Sequence, residues 1–174
     1  MSFRSSIAVL GVVAVIGLLA FGLLSKGSAG VAQGEVAPSA SLPRLEGGGT
    51  GSLAEYRGRW VLVNFWASWC GPCKAEAPAL ESFQRRYGGA DFTVLGIDTE
   101  DLTSDGHEFV RRYGLTYPQL YDGEGDTKED FGASGVPENF LIDPSGKVRL
   151  AIPGPVGEEY LRGSVAPLLA SGRS

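Results

Sequence analysis

The chain contains 174 residues, which allows one domain of ordinary size once an apolar segment near its amino terminus is set aside. Asp and Glu number 20 against 15 Lys and Arg, and this net charge of −5 disfavours a nucleic-acid-binding protein, which needs a basic face. Hydrophobic residues make up 43% of the chain, so a core can form and global disorder is excluded. Two cysteines and one histidine cannot build a disulfide framework or a four-ligand zinc site, and we expect no metal.

Residues 7–24 form an apolar run without a charged or hydrogen-bonding side chain. At a rise of about 1.5 Å per residue, such a helix just crosses the hydrocarbon core of a bilayer. We therefore predict a membrane anchor within residues 1–24. A cleaved signal peptide is the alternative, because small residues follow at 30–32, but the run is longer than a usual signal core of about 7–15 residues. Either interpretation exports the remainder of the chain.

The next segment, residues 25–41, is dominated by small residues, with 11 Gly, Ala or Ser among its 17 positions. This composition cannot supply a core and is typical of a flexible tether. The sequence therefore predicts a linker over 25–41 and a folded domain over 42–174.

The order of elements in the remaining chain predicts an α/β domain. Trp60–Trp66 is a continuous apolar run with Asn64 as its one polar member, which is typical of a central strand covered on both faces. A helix is predicted from Pro72, and Gly88 ends it. Further strand-like runs lie at Phe92–Ile97, Tyr117–Tyr121, Asn139–Ile142 and Val148–Ile152, and helical patterns lie at about 105–114, 127–132 and 157–170. This alternation favours a mixed central sheet flanked by helices.

Cys70 and Cys73, separated by Gly71 and Pro72, carry the chemistry that the sequence indicates. The motif follows the buried strand and begins the helix. Free N–H groups and the positive end of the helix dipole stabilise a thiolate at Cys70, and Cys73 lies one turn inside the helix. We therefore predict that the two residues cycle between a dithiol and a disulfide and that no other cofactor is needed.

Other functions for this cysteine pair fit the sequence less well. A zinc half-site lacks a second ligand pair, and a haem attachment site would need His where Lys74 stands. A structural disulfide that closes so short a loop would add little stability. A peroxidase is disfavoured because peroxiredoxins carry Thr three residues before the reactive Cys, where this chain has Ala67.

Three segments resemble the thioredoxin superfamily, and within it the membrane-tethered extracytoplasmic TlpA, ResA and DsbE/CcmG proteins. They are VLVNFWASWCGPCKAEAP at 61–78, GID at 96–98 and GASGVPENFLIDPSGKV at 132–148. The resemblance implies a thioredoxin fold with an N-terminal β-hairpin and an insertion after the strand that ends near Ile97. It also implies a reducing role in cytochrome c maturation.

The resemblance assigns roles to several residues around the cysteines. It makes Cys70 the exposed nucleophile, Cys73 the resolving thiol and Glu76 an active-site acid. Glu76 shares a helix face with Cys73, so it could exchange protons with the thiol pair, although a solvated glutamate in the first turns of the helix is the alternative. Asn64 stands where ordinary thioredoxins have a buried Asp, and Glu76 could substitute for that acid. Asn64 could also be a satisfied core amide.

A second group of residues is expected to bind the substrate. Val136-Pro137 matches the position where the fold holds a cis proline facing the cysteines, although a trans turn proline is the commoner state of such a bond. We expect Trp69, Val136, Pro137 and Glu138 to contact an extended client. Asn139 departs from the Thr that the DsbE/CcmG pattern usually has after Pro-Glu.

The sequence thus favours an enzyme, a thiol:disulfide oxidoreductase anchored in the cell membrane with its catalytic domain outside the cytoplasm. The expected partners are protein disulfides, first those in CxxCH segments of apocytochrome c, and a transmembrane electron donor of the DsbD or CcdA kind. A general reductase of exported proteins is one alternative. A redox-inert module that binds a peptide or Cu(I) through the two thiolates is another.

Overall fold

A computed structural model describes residues 30–171 of the chain. The membrane anchor or signal peptide expected within residues 1–24 lies outside this range, so it stays a prediction. Within residues 30–171, no helix has the length and the apolar character needed to span a bilayer.

Within the described part of the chain, the strands form two sheets, of which the larger is the predicted mixed sheet. In chain order, the strands are β1 (Leu42–Pro43), β2 (Thr50–Gly51), β3 (Trp60–Trp66), β4 (Phe92–Thr99), β5 (Gln119–Asp122), β6 (Glu138–Ile142) and β7 (Val148–Pro153). The larger sheet has the order β5-β4-β3-β6-β7. Strands β3, β4 and β5 run parallel, whereas β6 and β7 are antiparallel to their neighbours. The fifth strand begins at Gln119 and not at Tyr117 as predicted, because Pro118 has no N–H for the ladder.

The helices follow the predicted order, with one change at the C-terminal end. They are α1 (Gly71–Tyr87), α2 (Thr103–Tyr113), α3 (Asp126–Asp130), α4 (Glu158–Tyr160) and α5 (Ala166–Ser171). The helix predicted over 157–170 is interrupted, because a π-helical turn at Leu161–Val165 separates α4 from α5. Pro167 lacks the N–H that would bond to the carbonyl of Gly163 in a regular α-helix.

The N-terminal part of the domain contains the predicted hairpin and corrects the predicted linker. Strands β1 and β2 pair as a two-stranded antiparallel sheet. Before them, the N–H of Gly34 donates to the carbonyl of Val148 at 2.8 Å, and Ala37 is buried. Small residues can pair with a sheet edge through their backbone as well as larger ones do. The folded part therefore begins before Leu42, and the tether predicted over 25–41 is wrong for the second half of that segment.

Strand β3 separates two apolar layers because its side chains alternate between the faces of the sheet. Leu62 and Trp66 pack in the layer that α1, α2 and the C-terminal helices cover. Val63 and Phe65 pack in the opposite layer, together with the 3-10 helix at Leu53–Tyr56. The sheet is therefore enclosed on both faces, and the end of β3 leads directly to the cysteine motif.

Asp98 on β4 is a fully buried carboxyl group below helix α2. Among the described residues, no N–H or O–H group donates to either of its carboxylate oxygens. Gly106 lets α2 approach this closely, since a Cβ atom there would clash with Oδ2 of Asp98. Burial, aided by the nearby charges of Asp101 and Asp105, raises the pKa of Asp98 from 3.8 to about 8. The buried carboxyl is therefore protonated at neutral pH.

The raised pKa of Asp98 predicts a loss of stability with rising pH. Folding favours the protonated acid, so its contribution is complete below pH 4 and disappears as the pH rises towards 8. Each pH unit in this window costs at most about 1.4 kcal/mol. The Asp98→Asn variant has no carboxyl group at this position, so its stability should not contain this dependence on pH. Its free energy of unfolding in urea, measured relative to that of the wild type, should therefore increase between pH 5 and pH 9.

The exposed residue Asp91 offers a matched control, because Asp91→Asn removes a carboxylate that is already solvated. Its unfolding curve should keep the wild-type dependence on pH. Parallel stability curves for wild type and Asp98→Asn over this range would contradict the assignment.

Candidate active site

Cys70 and Cys73 form a disulfide with an S–S distance of 2.08 Å at the beginning of α1. Cys70 is the N-cap residue of the helix, and its sulfur accepts a hydrogen bond from the N–H of Cys73 at 3.1 Å. Pro72 lies in the first turn, where its missing N–H costs nothing. The N–H of Cys73 would also stabilise a thiolate at Cys70 after reduction, which is the chemistry that the motif predicts.

Both sulfur-bearing residues are more enclosed than the resemblance implies. Cys70 is 4% exposed and Cys73 is 1% exposed, so the expectation of an exposed nucleophile is wrong for this oxidised form. The carbonyl oxygen of Val136 lies 3.5 Å from the sulfur of Cys70 and covers it. Gly71 and Pro72, which separate the two cysteines, are exposed. Within residues 30–171, no group of three or more His, Cys, Asp or Glu side chains could hold a metal ion.

Glu76 is buried one turn beyond Cys73 and is not the solvated glutamate of the alternative interpretation. It is 2% exposed. Its Oε1 accepts a hydrogen bond from Asn64 Nδ2 at 2.7 Å, and its Oε2 accepts from the N–H of Val156 at 2.9 Å and from Asn139 Nδ2 at 3.3 Å. Three donors from three parts of the chain therefore hold this carboxylate behind the cysteine motif.

The electrostatic state of Glu76 suits proton exchange near neutral pH. Burial raises the pKa of its carboxyl from 4.5 to about 7, and the three hydrogen bonds oppose that rise because they favour the charged form. A group with a pKa near the working pH can both take and return a proton. Among residues 30–171, the groups that support the charged form are amides, and no cation contributes.

Asn139 is a site residue whose role the sequence did not reveal. Its side-chain oxygen accepts from Asn64 Nδ2 at 3.1 Å, and its amide donates to Glu76. Asn64 and Asn139 are directly paired in register across β3 and β6. The only sequence signal was a polar residue at the same depth in each of two buried strands, and it becomes informative only once the strand pairing is known.

The loop before β6 reaches the disulfide from the opposite side. The Val136–Pro137 peptide bond is cis, as the resemblance implies. Val136 is half-buried and Pro137 is buried. Glu138, expected to contact the client, directs Oε1 to its own loop, where it accepts from the N–H of Ser134 at 2.7 Å and from that of Gly135 at 3.2 Å. This carboxylate therefore stabilises the loop that covers Cys70.

Trp69 lies on the surface beside Cys70, as expected for a residue that meets the client. It is 59% exposed, and its Nε1 donates to the backbone carbonyl of Glu100 at 3.1 Å. Ser68 donates through both its N–H and its hydroxyl to the carboxylate of Asp101. The loop that follows β4 therefore holds the two residues that precede Cys70.

Comparisons with known proteins agree with this geometry. The AhpC/TSA family model matches residues 33–151. Over 132 residues the chain is 33% identical to the thiol-disulfide oxidoreductase ResA of Geobacillus thermodenitrificans, covering 76% of this chain and 75% of that protein. Over 139 residues it is 33% identical to the thiol:disulfide interchange protein HelX of Rhodobacter capsulatus, covering 79% of this chain and 77% of the relative.

A solved structure shows the same fold. The crystal structure assigned to a thiol:disulfide interchange protein DsbE from Chlorobium tepidum has a TM-score of 0.74 and 31% identity, and the match covers 80% of this chain and 99% of that one. The thioredoxin fold with its N-terminal hairpin is thereby confirmed. The chain belongs to the AhpC/TSA family and is one of its thiol-disulfide oxidoreductases with a thioredoxin fold.

Proposed function

We propose that the protein reduces disulfides in exported proteins, and first those in the CxxCH segments of apocytochrome c, so that haem can be attached. The similarity to ResA, HelX and DsbE supports thiol–disulfide exchange as the reaction, and the reducing direction is part of the proposal. The observation that carries the activity itself is the Cys70–Cys73 disulfide at the first turn of α1, with Cys73 N–H on the sulfur of Cys70.

The reaction is an exchange of two electrons between two pairs of sulfur atoms. In the reduced enzyme, the Cys70 thiolate attacks one sulfur of the client disulfide, forms a mixed disulfide and releases the other client sulfur as a thiolate. Cys73 then loses its proton and attacks the sulfur of Cys70. The Cys70–Cys73 disulfide forms and the second client thiolate leaves, so the client gains the two electrons that the enzyme loses.

Glu76 takes the proton of Cys73 in the second step. It lies on the same face of α1 as Cys73, one turn further along, and burial gives its carboxyl a pKa of about 7. The amides of Asn64 and Asn139 keep the carboxylate in place while its charge changes. The proton returns when the disulfide is next reduced.

The enzyme needs an electron source to act repeatedly as a reductase. Each turnover leaves the disulfide form, and outside the cytoplasm a membrane-spanning donor of the DsbD or CcdA kind would have to supply two electrons, while Cys73 recovers its proton from Glu76. An anchor formed from residues 1–24 would keep the catalytic domain close to that donor.

Fractionation of cells that express the whole chain tests this location, and recovery of the enzyme free of membranes would contradict an uncleaved anchor.

The two cysteines should differ when each is replaced by serine. Cys73→Ser leaves the nucleophile without its resolving partner, so mixed disulfides with a client should persist. Cys70→Ser removes the nucleophile, and we expect at least about tenfold less trapped complex. The measurement is the amount of covalent complex formed with a peptide that holds an oxidised CxxCH segment, separated without reductant.

Three comparisons test the assigned roles and the choice of client. Equal trapping by both variants would contradict the assignment of nucleophile and resolving thiol. A peptide of the same charge with a disulfide outside a CxxCH context tests the client. If the wild type reduces both peptides equally fast, the cytochrome role is wrong and the general reductase of exported proteins replaces it. Failure to reduce either peptide or insulin, together with tight binding of Cu(I), would identify the redox-inert module instead.

Glu76→Gln should change how the reaction depends on pH. The wild-type rate of client reduction should have an inflection near pH 7, where the Glu76 carboxyl titrates. The variant keeps the shape of the side chain but cannot accept a proton, so we expect this inflection to disappear and the rate above pH 7 to fall by about tenfold or more. Stopped-flow kinetics of the reduced enzyme from pH 5 to pH 9 measure both effects.

Glu81 provides a matched control within the same helix. It is also buried, but its carboxylate binds Arg85 and Thr116 and not the amides behind the cysteines. Glu81→Gln should keep the wild-type inflection whatever it does to stability. Unchanged pH profiles in Glu76→Gln would return Glu76 to a purely structural role.

A further inference from the structure

The indole of Trp69 is exposed, yet a hydrogen bond fixes its position. Nε1 donates to the carbonyl oxygen of Glu100 at 3.1 Å, while 59% of the residue is accessible to solvent. Trp69 directly precedes Cys70, the residue whose sulfur a client must reach. The direction of that ring therefore depends on where the backbone of Glu100 places its carbonyl.

Glu100 holds this carbonyl in an unusual backbone conformation. Its φ is 52°, and it is the one residue other than glycine with a positive φ among residues 30–171. L-residues rarely adopt this region, and such a conformation persists only where the surroundings enforce it. The N–H of Glu100 donates to the carbonyl of Asp122 at 3.3 Å. This one hydrogen bond, at 3.3 Å, does not by itself fix the direction of the Glu100 carbonyl group that accepts from Trp69.

Lys128 supplies the second attachment of Glu100. Its Nζ lies 2.5 Å from Oε2 of Glu100, and the residue is only 8% exposed. A buried ammonium group is costly unless it is paired, so Lys128 favours the contact with the Glu100 carboxylate. The backbone of Lys128 is fixed in turn, because its N–H donates to Oδ2 of Asp122 at 3.0 Å. Helix α3 thereby holds the carboxylate of Glu100, whose side chain is 47% exposed, at the surface of the domain.

We infer that Glu100 and Lys128 are positioning residues that set the orientation of Trp69 for protein clients. The chain of contacts runs from Lys128 to the Glu100 carboxylate, through the Glu100 backbone to its carbonyl, and from there to the indole N–H. Neither residue takes part in the exchange of electrons. The inference rests on the proposed reduction of protein disulfides, and it names what the enzyme uses to hold such clients beside Cys70.

The position of the indole can be measured without any client. In the isotope-labelled full chain, the side-chain N–H signal of Trp69 is identified by its loss in Trp69→Phe. Lys128→Met keeps the apolar stem and removes the charge. We expect the Trp69 signal to shift and its N–H to exchange with water about three- to tenfold faster. Trp66, whose Nε1 donates to Gln119 at 3.0 Å inside the core, supplies an unaffected reference signal.

Two further variants separate the ion pair from general damage. Glu100→Gln removes the charge from the other partner and should move the Trp69 signal in the same way. Glu55→Gln breaks the ion pair between Arg44 and Glu55 in the N-terminal part of the domain and should leave that signal in place. A Trp69 signal that neither Lys128→Met nor Glu100→Gln alters would overturn the inference.

Kinetics then test whether the orientation matters for clients. Lys128→Met should lower the preference for the oxidised CxxCH peptide over a small-molecule disulfide by about three- to tenfold, through a higher KM for the peptide. In the Trp69→Phe background, Lys128→Met should cause no further loss of preference. An equal loss in both backgrounds would show that Lys128 acts on the fold and not through Trp69. If the wild-type enzyme does not reduce the peptide, the proposed function is wrong. The side-chain N–H signal of Trp69 in the variants still shows whether Glu100 and Lys128 hold the indole in place.

Discussion

A carboxylate buried at the junction of four parts of the chain determines how the active site is arranged. Glu76 belongs to α1, and its oxygens accept hydrogen bonds from Asn64 on β3, Asn139 on β6 and Val156 after β7. A buried carboxylate is costly unless donors surround it, so these bonds restrict the rotation and depth of α1 on the sheet. Because the cysteines occupy the first turn of the same helix, the bonds to Glu76 also fix the place of the disulfide.

A second buried acid, Asp98, shows by comparison how the hydrogen-bond donors around Glu76 affect its pKa. Burial raises the pKa of both carboxyls, to about 7 for Glu76 and about 8 for Asp98. Asp98 has no donor among the described residues and lies near two other carboxylates, so its neutral form is favoured strongly. The amides around Glu76 offset part of the same desolvation and leave both of its protonation states accessible near pH 7. One acid therefore fills space below α2, and the other can move a proton.

Those parts of the site that follow from local pattern could be predicted from the sequence. The apolar run of β3 needs cover on both faces, a cysteine at a helix start meets free N–H groups, and the spacing of Glu76 from Cys73 is one helical turn. Residues 31–37 could not be predicted, because their backbone pairs with the domain while their composition is that of a linker. In the sequence Asn139 is a departure from a family pattern, and only the register of β3 against β6 reveals that it binds Glu76.

The same distinction between local and distant contacts separates the chemistry of this enzyme from its choice of client. The sulfur chemistry is contained within one turn of α1 and the acid behind it, so a short motif is enough to identify it. The surface around Cys70 is built from two loops distant in sequence, with the Glu100 carbonyl holding Trp69 on one side and the Glu138 carboxylate shaping the cover over Cys70 on the other. Because these loops are fixed by contacts that a cysteine motif does not encode, substitutions in them can change which disulfides are reduced and leave the exchange reaction intact.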